Sequence, residues 1–223
     1  MSGNDLKKKS GVIYLAVFLF AVCAVATVLM ATAKYLTDPT IAKAELAKIE
    51  SGLQVVLDGV AYNNQPSADV VTLDNAVIYV AKENGVPSGY AVKMSSGGYG
   101  GALEGLIGFD AKGRILTYII TKHNETPGIG TKVTNRTQVR SISDVITGKE
   151  ADQSLPPNKT LDSFRGKRAK SDVLSGASAN PKWDGIESVS GATVSSNAVN
   201  SLAWKASVTL NKYLKMQQKK ENK

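Results

Sequence analysis

Three short segments carry residue types whose spacing can do chemistry. The first is Ser188-Val189-Ser190-Gly191-Ala192-Thr193-Val194-Ser195-Ser196, which sets hydroxyls and small residues directly ahead of an amphipathic run. Hydroxyls at a helix start commonly serve as caps. The same place is also an anion site, because the first backbone N–H groups have no partner within the helix and the positive end of the dipole faces outward. Gly191 and Ala192 are small enough to let a phosphate come close. The second segment, Glu125-Thr126-Pro127-Gly128-Ile129-Gly130, joins a carboxylate and a hydroxyl to a rigid Pro-Gly turn. The third, Ser95-Ser96-Gly97-Gly98-Tyr99-Gly100-Gly101, is either a flexible turn or a loop whose backbone approaches a ligand.

Other chemistries lack their residues. The chain has one histidine, His123, and one cysteine, Cys23. Neither a histidine pair for zinc nor a cysteine cage can be built, and a Ser-His-Asp triad would have to use His123. No GxxxxGK[ST] loop is present, and no GxGxxG joins a strand to a helix. We therefore assign no catalytic residue and no metal ligand. The net charge is +8, from 27 Lys plus Arg against 19 Asp plus Glu. Part of the excess is Lys7, Lys8 and Lys9; another part is the tail Lys212, Lys215, Lys219, Lys220 and Lys223. No basic stripe is interleaved with aromatics, so nucleic acid is not an expected partner. The tail suits anionic lipid or a partner subunit.

The elements that must position these segments begin with an anchor. Residues 12–33 contain no charge and, as a helix, extend about 33 Å, enough for a bilayer core of about 30 Å. Lys7, Lys8 and Lys9 before the run, against Lys34 after it, place the N-terminus in the cytoplasm and the main domain outside. A cleaved signal peptide is the rival reading, with Ala31-Thr32-Ala33 as its cleavage site, but its apolar core would be about 7–15 residues. Thr37-Asp38-Pro39 reads as the start of a new helix reaching about Leu57, which can continue the anchor as a stalk. Residues 61–68 read as a polar loop. Runs at 76–81, 89–94, 103–109 and 115–122 read as strands, close enough to pair antiparallel, with a hairpin turn at Phe109-Asp110-Ala111-Lys112-Gly113-Arg114. Weak helical character follows at 132–149, irregular chain at 151–170, and a possible strand at 171–174. A helix is expected from Thr193 to Met216, with Val199, Leu202, Ala203, Ala206, Leu210, Tyr213 and Leu214 on one face.

Taken together, the three segments resemble a known family. Ser190-Gly191-Ala192-Thr193-Val194-Ser195 resembles the S/T-G-A-T-x-S/T signature of proteins that carry FMN covalently. The loop from Glu125 to Gly130 resembles that family's E-T-P-G-L/I-G loop, and the Gly97–Gly101 region its glycine-tyrosine loop. The order of the segments after one membrane helix is similar to the G subunits of Rnf ion-pumping ferredoxin:NAD⁺ oxidoreductases, and also to the C subunits of sodium-pumping NADH:quinone reductases. Chain length favours the former.

The resemblance implies an α+β fold: a cytoplasmic tail (1–11), a transmembrane helix (12–33), a stalk (34–60), an extracytoplasmic FMN-binding domain with an antiparallel sheet and flanking helices (61–216), and a basic tail (217–223). It implies an FMN joined through its phosphate to Thr193, with Ser190, Gly191, Ala192 and Ser196 at the phosphate. Glu125, Thr126 and Gly128 would lie near the flavin, with Tyr99 and Gly100. It implies an electron-transfer subunit, not catalytic alone. Its expected partners are the other complex subunits, including a second covalent-flavin membrane subunit and membrane-embedded iron–sulfur subunits. A separate flavin transferase would attach the cofactor, because a threonine hydroxyl does not displace a nucleotide unaided. A tethered flavin sensor and a cofactor-free scaffold are the rival classes. Glu187 stands where the family usually has Asp, and residues 151–170 match no motif of the family.

Overall fold

The strand runs carry apolar side chains at successive positions, so each strand offers apolar groups to both faces of a sheet. The computed structural model describes residues 3–58, 60, 70–136, 155–169, 183, 185–186 and 188–221. Two compact units are present, Met1–Lys48 and Ile49–Lys223. The readings at 61–68, 171–174 and Glu187, and most of that at 132–149, lie outside the described residues.

The first unit is helical. Helix α1, Gly3–Val56, is long and apolar enough to cross a membrane, with a mean hydropathy of 2.7 in its most apolar window. The hydroxyls of Thr27, Thr32 and Thr37 donate to the carbonyls of Cys23, Val28 and Ala33 at 2.8, 2.8 and 2.7 Å. Each is thereby satisfied without water, as an apolar medium requires. The expected new start at Thr37 is not found. The helix runs through Pro39, and Thr37 turns its hydroxyl back to Ala33 instead of capping forward. Proline removes one i→i−4 bond, and the bonds on either side carry the helix across.

In the second unit, strands β1 (Val70–Leu73), β2 (Ala76–Glu83), β3 (Val86–Gly97), β4 (Ala102–Asp110) and β5 (Ile115–Lys122) form one antiparallel sheet in chain order. β1 was not anticipated. Its turn to β2 uses Asp74 and Asn75, both at positive φ (50° and 63°), a conformation that suits this residue pair in a two-residue hairpin. At the anticipated turn after β4, Asp110 Oδ1 accepts from the N–H groups of Lys112 and Arg114, at 2.9 and 2.8 Å.

Both sheet faces are covered. On one face Leu53, Val56 and Leu57 pack with Ala81, Ala91 and Leu106. Residues read as the end of a stalk are therefore core here. Gly108 admits this packing: a β-carbon there would overlap the Val56 carbonyl. On the other face lies helix α4, Thr193–Glu221, five residues longer than expected. It buries Val199, Leu202, Ala203, Ala206 and Leu210 against Ile78, Val92, Ile107 and Tyr118. Burial pushes the Tyr118 phenol well above its ordinary range, and its hydroxyl donates to the Val199 carbonyl at 3.2 Å.

Two four-residue helices, α2 (Thr131–Thr134) and α3 (Lys159–Asp162), complete the unit. α3 falls in a stretch read as irregular. Asn158 caps it, accepting from Leu161 N–H at 2.9 Å, and its amide also donates to the Lys132, Val133 and Asn135 carbonyls. That one buried side chain ties α3 to α2.

Leu202 is fully buried, so Leu202→Ala is expected to cost about 2–5 kcal/mol. Gly108→Ala is expected to cost about 1–3 kcal/mol by forcing the 49–56 turn off the sheet. Thermal unfolding followed by circular dichroism checks both, and an unchanged midpoint in either variant would contradict the packing described.

Candidate functional site

Three chain segments that lie far apart in sequence meet at one end of the sheet. The β3–β4 turn arrives first, closed by a 2.7 Å bond from Gly98 N–H to the Gly101 carbonyl. The loop leaving β5 arrives second, and the start of α4 third. Glu125 joins them. Its Oε1 accepts from the Tyr99 N–H at 2.9 Å, and its Oε2 accepts from the Ser195 hydroxyl at 2.5 Å. Glu125 as a residue is only 5% exposed.

The glycines of the turn make room for this arrangement. A β-carbon at Gly98 would overlap Glu125 Oε1, and one at Gly100 would overlap the Asn124 carbonyl. One at Gly130 would sit 2.7 Å from Glu125 Oε2 and 2.9 Å from Ser195 Oγ. The loop is held from behind as well. Glu125 N–H donates to His123 Nδ1 at 3.3 Å, and His123 Nε2 faces Asn135 Oδ1 at 2.5 Å. Thr131 Oγ1 accepts from Gly128 N–H at 2.8 Å, fixing the Pro-Gly turn.

Helix α4 begins without a side-chain oxygen at the preceding position, because that residue is Ala192. Ala192 N–H reaches back to the Val189 carbonyl, and Ser196 N–H begins the helical ladder to the Ala192 carbonyl. The backbone N–H groups of Thr193, Val194 and Ser195 precede that bond, so they have no acceptor within the helix. Gly191 has φ +81°, and a β-carbon there would meet nothing within 4 Å. The helix start is thus open, and the Thr193 side chain is exposed.

A cavity of about 340 Å³ lies between the segments, lined by Tyr99, Glu125, Thr126, Ile129, Gly130 and residues 191–195. Of the residues singled out from sequence, Tyr99, Glu125, Thr126, Gly191, Ala192 and Thr193 reach its wall. Ser190, Ser196, Gly100 and Gly128 do not. Ser196 is buried and accepts from Val189 N–H at 3.3 Å, so it stitches the approach to the helix. Gly100 serves close packing against Asn124. Ser195, inside the quoted motif but not chosen, is the hydroxyl that meets Glu125; its place in the first turn was the available signal. Ile129 and Val194 add exposed apolar surface to the wall.

The FMN-binding domain family matches residues 98–208, which hold all three cavity segments. The chain is 31% identical over 184 residues to the G subunit of the ion-translocating oxidoreductase complex of Vibrio atlanticus, covering 78% of this chain and 83% of that one. The chain belongs to this family of G subunits. It is also 29% identical over 199 residues to the G subunit of the Na(+)-translocating ferredoxin:NAD(+) oxidoreductase complex of Acetobacterium woodii, covering 84% of this chain and 86% of the relative. With the corresponding G subunit of Stutzerimonas stutzeri the identity is 34% over 125 residues, and the match spans 54% of this chain and 55% of that relative. The family match begins at Gly98, so the turn, loop and helix start fall inside the shared domain while α1 precedes it.

If the glycine turn exists to seat Glu125, then Gly100→Ala should unseat it. The expected outcome is a loss of hydrogen-exchange protection at the Tyr99 amide of roughly tenfold, the equivalent of one hydrogen bond. Unchanged protection would mean that the turn does not depend on this contact.

Proposed function

We propose that this protein is an electron-relay subunit of an ion-translocating ferredoxin:NAD⁺ oxidoreductase, and that it carries FMN as a phosphoester on Thr193. The observation that supports the attachment point is the open start of α4. An exposed hydroxyl stands at the first helical residue, beside a glycine with space around it and ahead of three backbone N–H groups that lack a helical acceptor. A phosphodiester there bears one negative charge, which a helix N-terminus stabilises by about 0.3–2 kcal/mol. Bound FMN supplies the redox chemistry. The chain supplies the anchor at Thr193, the N–H groups of residues 193–195, and a wall in which Glu125, Thr126 and Tyr99 fix the approach.

The names of the relatives support membership in a complex of the ferredoxin:NAD⁺ type. On this reading the partners are the other subunits, including a second covalent-flavin subunit and membrane-embedded iron–sulfur subunits. A flavin transferase matures the protein, taking FMN from a flavin dinucleotide and releasing the nucleoside monophosphate. The α1 anchor keeps the relay at the membrane with Lys7, Lys8 and Lys9 on the cytoplasmic side and the FMN-binding domain outside.

Two experiments test this. Full-length protein co-expressed with a flavin transferase is expected to gain the mass of FMN less water, and Thr193→Ala to lose that gain together with the fluorescent band on a denaturing gel. A flavin band that survives in Thr193→Ala refutes the attachment point. Trypsin added to spheroplasts of the expression host is expected to remove the domain beyond α1, and full protection there would reverse the orientation.

A further inference from the structure

The Glu125 carboxylate stands in the cavity wall with no lysine or arginine paired to it among the described residues. Both its oxygens are met by neutral donors, the Tyr99 N–H and the Ser195 hydroxyl. No lysine or arginine lines the cavity, and no ion pair reaches Glu125 among the described residues. His123, the titratable group behind it, meets the Glu125 N–H with Nδ1 and Asn135 Oδ1 with Nε2, and it makes no contact with the carboxylate oxygens. Of the cations nearest in the loop's sequence, Lys122 reaches Glu104, and Lys132 is not part of the wall. Burial matters because a charge on a residue that is 5% exposed is poorly screened by water and salt.

We propose that Glu125 sets the redox poise of the relay: its fixed negative charge opposes the arrival of an electron at a flavin held on Thr193 and keeps the midpoint potential low. The inference rests on the Thr193 reading, and goes beyond it by giving the wall carboxylate an electrostatic task. Reduction adds an electron, delivered by a reduced centre of a partner subunit, to a group sharing the cavity with this carboxylate. A roughly tenfold change in the ratio of reduced to oxidised cofactor is an ordinary size for the effect of one poorly screened charge on another. The same carboxylate holds the Tyr99 turn and the α4 start, so geometry and charge must be separated experimentally.

Glu125→Gln does so. The amide oxygen can still accept from Tyr99 N–H, and the amide nitrogen can donate to the Ser195 hydroxyl, so the clamp is kept and the charge removed. The measurement is a redox titration of the flavin in the full-length, membrane-inserted protein, with attachment verified by mass. The expected result is an upward shift of the midpoint in Glu125→Gln, equivalent to a roughly tenfold larger reduced fraction at fixed potential, and retention of the low value in Glu125→Asp. A midpoint in Glu125→Gln equal to or below that of the unsubstituted protein overturns the proposal. Should Glu125→Gln fail to acquire flavin, Ile129→Lys reads the same field without touching the clamp: it sets an opposing cation on the cavity wall, and the midpoint is expected to rise. An unmoved midpoint in that variant also overturns it. Absence of covalent flavin from the unsubstituted protein overturns the Thr193 reading itself, a distinct result visible by mass before any titration.

Discussion

One buried carboxylate holds the site together. Glu125 receives one hydrogen bond from the β3–β4 turn and one from the first turn of α4, and it sits on the loop leaving β5. A hydrogen bond to a charged group contributes about 1.5–3 kcal/mol, and removing a partner leaves a buried charge unsatisfied. Neither the turn nor the helix start could shift far without that penalty. Glycines at 98 and 130 bring the backbone to the carboxylate, and Gly100 brings the turn to Asn124. The helix start stays open at Gly191, where a β-carbon would meet nothing within 4 Å.

The rest of the domain serves this junction. The sheet carries the turn and the loop on adjacent strand ends, since β3, β4 and β5 are neighbours in register. Helix α4 crosses the same face, anchored by fully buried Val199, Leu202 and Leu210, so its first residue is presented at a fixed place. The Asn158 bonds to α2 and α3, and the Arg136 bonds to the Tyr118 and Pro156 carbonyls, brace the flank behind the loop. Arg136 also covers part of the exposed edge of β5, which would otherwise offer an unpaired carbonyl.

Much of this was legible in the residues, for identifiable reasons. The short β-rich runs between turn residues announced β2 to β5, because each buries successive apolar side chains on both faces. The three- and four-residue spacing from Val199 to Leu214 announced α4. β1 was not legible, because Val70-Val71-Thr72-Leu73 is too short for alternation to stand out. α3 was hidden for the same reason, although Asn158 is a strong capping type. The misreading at Thr37 came from a local capping pattern that also occurs inside a continuous helix when the threonine turns back to the i−4 carbonyl. Within the site, the motif residues identified the segments but not their mutual contacts. That Ser195 meets Glu125, and that Ser196 and Gly100 serve packing, depends on pairings across as many as 70 positions.

The proposed attachment rests on a single atom, the Thr193 hydroxyl oxygen, exposed at the open start of α4. Ser190, Ser195 and Ser196 lie within three residues of it and offer the same chemistry, but two of these are engaged: Ser195 with Glu125, and Ser196 with Val189. The most direct measurement is fragmentation mass spectrometry of the tryptic peptide that runs from Trp183 to Lys205 in protein matured with a flavin transferase. The account places the FMN mass on Thr193. The same mass located on Ser190, Ser195 or Ser196, or an unmodified peptide, would contradict it.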